Sequence, residues 1–195
     1  MTTLMTRRIA VASAFVSISL VAALPAPAQM APGNAMSFLT LANGSNTFEI
    51  QSSQLAEQKT SSPSVLRFAR EMVRDHSMAA RNMAAAEQSA RMPPMPPALD
   101  PPHAAMLAQL QAAAPGPQFN QLYVQMQRQA HQQAVGLFTT YAHGGDNPVI
   151  VAFARQSLPV LERHLRHIEE IAGRGATEPM ARRSLRSRRN EAIHP

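Results

Sequence analysis

The chain has 195 residues, a formal charge of +6, no Cys, no Trp and only 5% aromatic residues. Without cysteine there are no disulfides and no thiolate metal sites, and so few aromatics argue against an all-β domain. The charge does not describe a nucleic-acid binder. Arg7 and Arg8 hold +2 of it and the segment from Arg174 holds +4, leaving a neutral body, and no aromatics interleave with the terminal arginines.

The N-terminus reads as a secretory signal. Arg7 and Arg8 precede an apolar run from Ile9 to Leu24, and Ala26-Pro27-Ala28 supplies a small-residue cleavage site. The competing reading is a retained anchor, but the run falls short of the roughly 20 residues a bilayer span needs. Residues 1–28 are therefore expected to be removed, leaving a periplasmic or secreted protein with no transmembrane span and no Cys for a lipid anchor. About 167 residues remain, enough for one domain.

A first helix is expected from about Met36 to Lys59, with Phe38, Leu41, Ser45, Phe48, Glu49, Ser52, Leu55 and Ala56 on one face. Its Asn43-Gly44-Ser45-Asn46 stretch has poor helix propensity and predicts a kink or a late start. Ser62 and Pro63 open a second helix as N-cap and first residue, and Ser61, Ser62 and Ser64 are read as capping residues. Val65, Ala69, Met72, Ala79 and Met83 form its apolar stripe, and His76 falls in the middle of that stripe.

The second helix should end near Arg91, before MPPMPPALDPP. That stretch predicts an extended surface segment from Met92 to Pro102, followed by a short helix from His103 to Ala113. A third helix opens at Gly116-Pro117 with Phe119, Tyr123, Met126, Ala130, Ala134, Leu137 and Tyr141 on one face. His131 sits on the flank of that face. The His143-Gly144-Gly145-Asp146 turn leads to a fourth helix capped by Asn147. Its stripe includes Ile150, Leu161, His164 and Ile168, with a kink expected at Pro159 and an end at Gly173 and Gly175.

The fold class is all-α: a ferritin-like up-down four-helix bundle over residues 29–173, with a long proline-rich crossover between helices two and three. Residues 174–195 form a basic tail, expected to be disordered or to contact an acidic envelope surface or protein.

NTFEIQSSQLAEQKTSSPSVLRFAREMVRDHSMA, FNQLYVQMQRQAHQQAVGLFTTYAHGGDNP and FARQSLPVLERHLRHI occur in that order. In this order they resemble a bacterial family of exported proteins, the family of domain of unknown function 4142, over Met36 to Ile171. The resemblance implies an exported ferritin-like bundle and supplies no reaction.

Glu49 and His76 stand at similar heights from the first hairpin turn, roughly 20 Å away at 1.5 Å per residue, and His131 and His164 match them from the second. One carboxylate and three neutral imidazoles would suit a divalent ion such as zinc, iron or manganese. Asp75, Glu162 and His167 are candidates to orient those ligands. The competing account is a set of buried polar side chains bonded to one another for structure. A di-iron centre is not expected, because no Glu-x-x-His occurs. Copper is a further possibility through twelve Met residues, with Met72 and Met83 flanking His76 and Met92, Met95, His103 and Met106 along the crossover; methionine as flexible core filler is the alternative. No hydrolase or nucleotide motif is present. Two functions follow: a metal-binding bundle, or a non-catalytic interaction module of the cell envelope.

Overall fold

A computed structural model of the chain describes the backbone of residues 33–191 and side chains through Arg174. The expected signal segment and the side chains of the basic tail lie outside the described residues. Among the described residues all regular structure is helical: α1 (Ala35–Lys59), α2 (Pro63–Ser89), α3 (Pro101–Ala112), α4 (Pro117–Gly144) and α5 (Pro148–Glu191). None of these helices is long and apolar enough to cross a membrane.

α1 corrects the sequence reading. It runs unbroken through Asn43–Asn46, and the poor helix formers are held by tertiary contacts rather than by propensity. Asn43 Nδ2 donates to the Pro96 carbonyl at 2.9 Å. A Cβ on Gly44 would lie 2.7 Å from Asp100 Oδ2, so only glycine lets the crossover sit this close. Further along, Ser52 accepts from Gln127 Nε2 at 3.0 Å and the Ser53 hydroxyl meets that of Tyr123 at 2.8 Å. Small and polar residues in α1 mark where other elements dock.

Pro63 occupies the first turn of α2 as expected. The Ser62 hydroxyl, however, contacts the Ser64 hydroxyl rather than a free helix N–H. The helix ends in a Schellman arrangement. Arg91 takes a left-handed φ of 55°, its N–H reaches the Gln88 carbonyl, and the Met92 N–H reaches that of Glu87. The chain then runs as a surface segment in which Met92, Met95 and Leu99 are half-buried and the prolines exposed. Its extended part stops sooner than expected, because Asp100 caps α3 and Pro101 and Pro102 fill the first turn, where missing N–H groups leave nothing unsatisfied.

The crossover follows α1 from one end of the bundle to the other. Met95 lies against Thr40, His103 against Phe48, and the Lys59 ammonium donates to the carbonyls of Leu110, Gln111 and Ala113. It thereby returns the chain to the α1 C-terminus, where the Gly116 N–H meets the Lys59 carbonyl. α1 packs against α2 and α4, and α5 against α2 and α4, with each neighbour antiparallel. The Asn147 carboxamide caps α5 by accepting from the N–H groups of Val149 and Ile150. α5 continues as helix through Pro159, which is exposed, and past Gly173 and Gly175 to Glu191. The expected end at those glycines is therefore corrected, and helical backbone extends into the Arg-rich segment.

The core has two halves. At one end Phe38 stacks on Tyr141 with ring centres 4.2 Å apart, beside Phe138 and Phe153. At the other, Phe48, Phe68, Phe119, Tyr123, Leu110 and Ile168 pack together. Between them the four main helices contribute a layer that is polar and buried.

Candidate metal centre

That layer contains Glu49 from α1, His76 from α2, His131 from α4 and His164 from α5, all at most 5% exposed. The three imidazole centres form a nearly equilateral triangle, 5.7, 5.5 and 5.5 Å on a side. One nitrogen of each ring lies within 4.8 Å of one nitrogen of each of the others.

The remaining nitrogens determine what faces the centre. His76 Nδ1 donates to Asn46 Oδ1 at 2.9 Å, His131 Nδ1 to the Gln127 carbonyl at 2.9 Å, and His164 Nε2 to Asp75 Oδ2 at 3.0 Å. Each partner is an oxygen that can only accept, so each ring spends its proton outward. The opposite atoms, His76 Nε2, His131 Nε2 and His164 Nδ1, are buried and have no hydrogen-bond partner. A neutral imidazole whose one nitrogen donates presents a lone pair on the other. Three lone pairs therefore lie in a buried layer with no protein donor bonded to them.

Electrostatics keep the rings neutral. Burial pulls the His76 pKa well below 6.5, reinforced by the charges His131 and His164 would carry. Burial brings His131 down to about 4, against the opposing bond to the Gln127 carbonyl. His164 is also lowered by burial, which outweighs the upward pull of Asp75 and Glu71. Asp75 itself is lowered: burial would raise it, but hydrogen bonds and charges from His164 and Arg74 prevail. An ionised carboxylate thus holds the His164 tautomer in place, and Arg163 approaches the same oxygen at 3.3 Å.

Glu49 is beside the triangle rather than within it. Its Oε1 is 3.6 Å from His131 Nδ1, the nitrogen already turned to Gln127, and its Oε2 has no partner. Burial raises its pKa to about 8, against a smaller lowering by the Gln127 amide. At neutral pH the Glu49–His131 contact therefore joins two uncharged groups.

Set against the sequence reading, His76 and His164 point inward as their phase on the helix requires. His131, expected on a flank, is 1% exposed and inside the layer. α4 is rotated so that Gln127, Ala130, His131 and Ala134 all face inward. Asp75 touches His164 directly. His167 stands one step further out, bonded to Glu71 at 2.8 Å, and Glu71 lies 4.0 Å from His164. Glu162 is a correction: two residues before His164, it projects from the other side of α5 and is exposed. Asn46, inside the expected kink, and the Gln127 carbonyl, a main-chain group, have no signature in the side-chain pattern. Of the crossover set, the His103 Nδ1 is taken by Asp100 and its ring lies on Phe48.

Similar folds are known. CopM in its Ag-bound form superposes with a TM-score of 0.59 at 18% identity, covering 72% of this chain and 96% of that one. CopM in its Cu(II)-bound form gives 0.59 at 18% identity over 70% and 94%. A DUF305 fragment from Deinococcus radiodurans gives 0.60 at 20% identity over 71% and 94%. At these identities the likeness is one of fold. No curated protein matches the chain. The model of the family described as a domain of unknown function, DUF4142, matches residues 20–171, and the chain belongs to that family.

Proposed function

We propose that this protein is an exported metal-binding bundle that holds one divalent transition ion between His76, His131 and His164. The observation that carries the reading is the set of three buried, unpartnered imidazole nitrogens whose rings are each fixed by an outward hydrogen bond. A layer serving only structure would bond the rings to one another. Three lone pairs converging without a donor repel, and a cation removes that penalty. Neutral imidazoles suit zinc and copper(II), and hydrogen bonding of the far nitrogen raises ligand basicity. Glu49, ionised by the arriving positive charge, supplies a counter-charge beside His131. CopM's silver and copper(II) make those ions part of the trial alongside zinc, iron and manganese.

Calorimetric titration of metal-free protein tests this. One zinc or copper(II) per chain is expected, with binding lost in His131→Ala. If no ion binds and His76→Leu stabilises the fold, the layer is structural and the envelope-module function takes its place. Export rests on the charged, apolar and small-residue regions before Gln29. Mass analysis of periplasmic protein should find Gln29 as the first residue; an intact Met1 in the membrane fraction contradicts it.

A further inference from the structure

The polar layer is closed on one side and open on the other. Toward the α1 C-terminus it rests on Phe68 and Met72, both fully buried. Toward Met83 lies a cavity of about 220 Å³ lined by residues of α1, α2, α4 and α5, with exposed Met78 among them. Its apolar lining comes from Ala42, Met83, Ala134, Phe138, Phe153 and Leu161, its charged lining from Asp75 and Arg163, and His76 and His164 border it. These two rings carry two of the three unpartnered nitrogens. Glu49 and His131 do not line it.

Two properties of the cavity select an occupant. Its size exceeds the roughly 150 Å³ that holds a benzene molecule, so a substituted six-membered ring fits. Its charge is the second. A divalent ion bound by three neutral imidazoles keeps a net positive charge even with Glu49 ionised beside His131, because the other nearby carboxylate, Asp75, is already engaged. Glu49 is on the His131 side, and Asp75, which lines the cavity together with Arg163, shares its charge among His164, Arg74 and Arg163. Three protein ligands with a vacant fourth position mark a centre that takes an outside ligand, in contrast to a closed structural site. Resting on the metal reading above, we propose that this position faces the cavity and binds a small monoanion with a compact apolar body, of the aromatic carboxylate class. The carboxylate reaches the ion past His76 and His164, and the ring lies between Met83, Phe138 and Phe153.

Cobalt(II)-loaded protein tests the proposal, because its visible bands report the fourth ligand. Benzoate should shift the bands and bind about tenfold or more tightly than acetate, through burial of its ring. Benzamide, of the same shape without the charge, should bind far more weakly than benzoate. Ala79→Phe and Val160→Phe each fill the cavity from its wall; either should retain one cobalt per chain and lose benzoate binding at least tenfold. Bands unmoved by benzoate, equal affinity for acetate, or unchanged benzoate binding in a filled variant that keeps its cobalt would each overturn the proposal while leaving the metal reading intact. Failure of the parent protein to take up cobalt, zinc or copper(II) would instead defeat the metal reading, and this inference with it.

Discussion

Two buried histidine environments in this molecule look alike by exposure and differ in how their nitrogens are used. His103, 8% exposed, donates from Nδ1 to the Asp100 carboxylate that also caps α3, and its ring lies against Phe48. That bond lies within the first turn of α3 and the ring packs the crossover on α1, while the second nitrogen is not among the buried atoms left without a partner. His76, His131 and His164 are as deeply buried, but each uses one nitrogen to fix its ring and leaves the other without a partner. Burial alone therefore does not separate a structural histidine from a ligand. The unpaired acceptor, held in place by a bond on the far side, does.

Removing one histidine from each environment should have opposite consequences. His164→Ala should abolish stoichiometric metal binding. His103→Ala should leave metal affinity within about twofold and cost about 1–3 kcal/mol of stability through lost packing and capping. Metal titration and denaturant melts read both. Equal loss of metal in the two variants would erase the distinction.

Orientation can be probed without touching a ligand. Asp75→Asn removes the charge that holds His164 Nε2–H, so metal affinity should fall about 10- to 100-fold with the fold intact. An unchanged dissociation constant would mean the outward bond does not matter.

pH separates the groups by sign. The three rings have folded pKa values below their usual 6.5, His131 at about 4. Their contribution to stability is present above pH 6.5 and is lost as pH falls toward 4, and metal should leave in the same window. Glu49 runs the other way. With its pKa raised from 4.5 to about 8, its contribution to the metal-free protein is full below 4.5 and is lost as pH rises through 8. Thermal melts of the metal-free protein should therefore weaken toward pH 4 and again as pH rises toward 8, and Glu49→Gln should remove the second loss alone.

The smallest effect belongs to the crossover. Gly44→Ala puts a methyl group 2.7 Å from Asp100 Oδ2. Overpacking of about 1–3 kcal/mol, less about 1 kcal/mol regained in helix propensity, leaves a modest net destabilisation. Hydrogen exchange should quicken in α3 while metal affinity stays constant. Slower exchange in α3 would show that the glycine is not required for docking.

The bundle was legible because its apolar stripes recur at helical spacing and prolines punctuate every helix start after α1. His76 was legible for the same reason, a polar residue at the centre of a stripe. Three features were not. The α1 segment Asn43–Asn46 looked like a helix breaker, because propensity registers the cost of Asn and Gly but not the crossover that docks there. His131 looked peripheral because a wheel drawn from large apolar residues gives no weight to Gln127, whose inward side chain reveals the true rotation of α4. Of the orienting bonds, the one from Asp75 was anticipated, whereas Asn46 was hidden because it lies on another helix than its histidine, inside the expected kink, and the third acceptor is a main-chain carbonyl.

Nitrogen-15 NMR of the histidine rings reads the three inward-facing nitrogen atoms themselves. In metal-free protein at neutral pH, His76 Nε2, His131 Nε2 and His164 Nδ1 should show the shifts of unprotonated, acceptor-free nitrogens. Zinc should move those three resonances together at one equivalent and leave His103 and His167 in place. Protonated nitrogens at these positions, or zinc-dependent shifts confined to other histidines, would contradict the account.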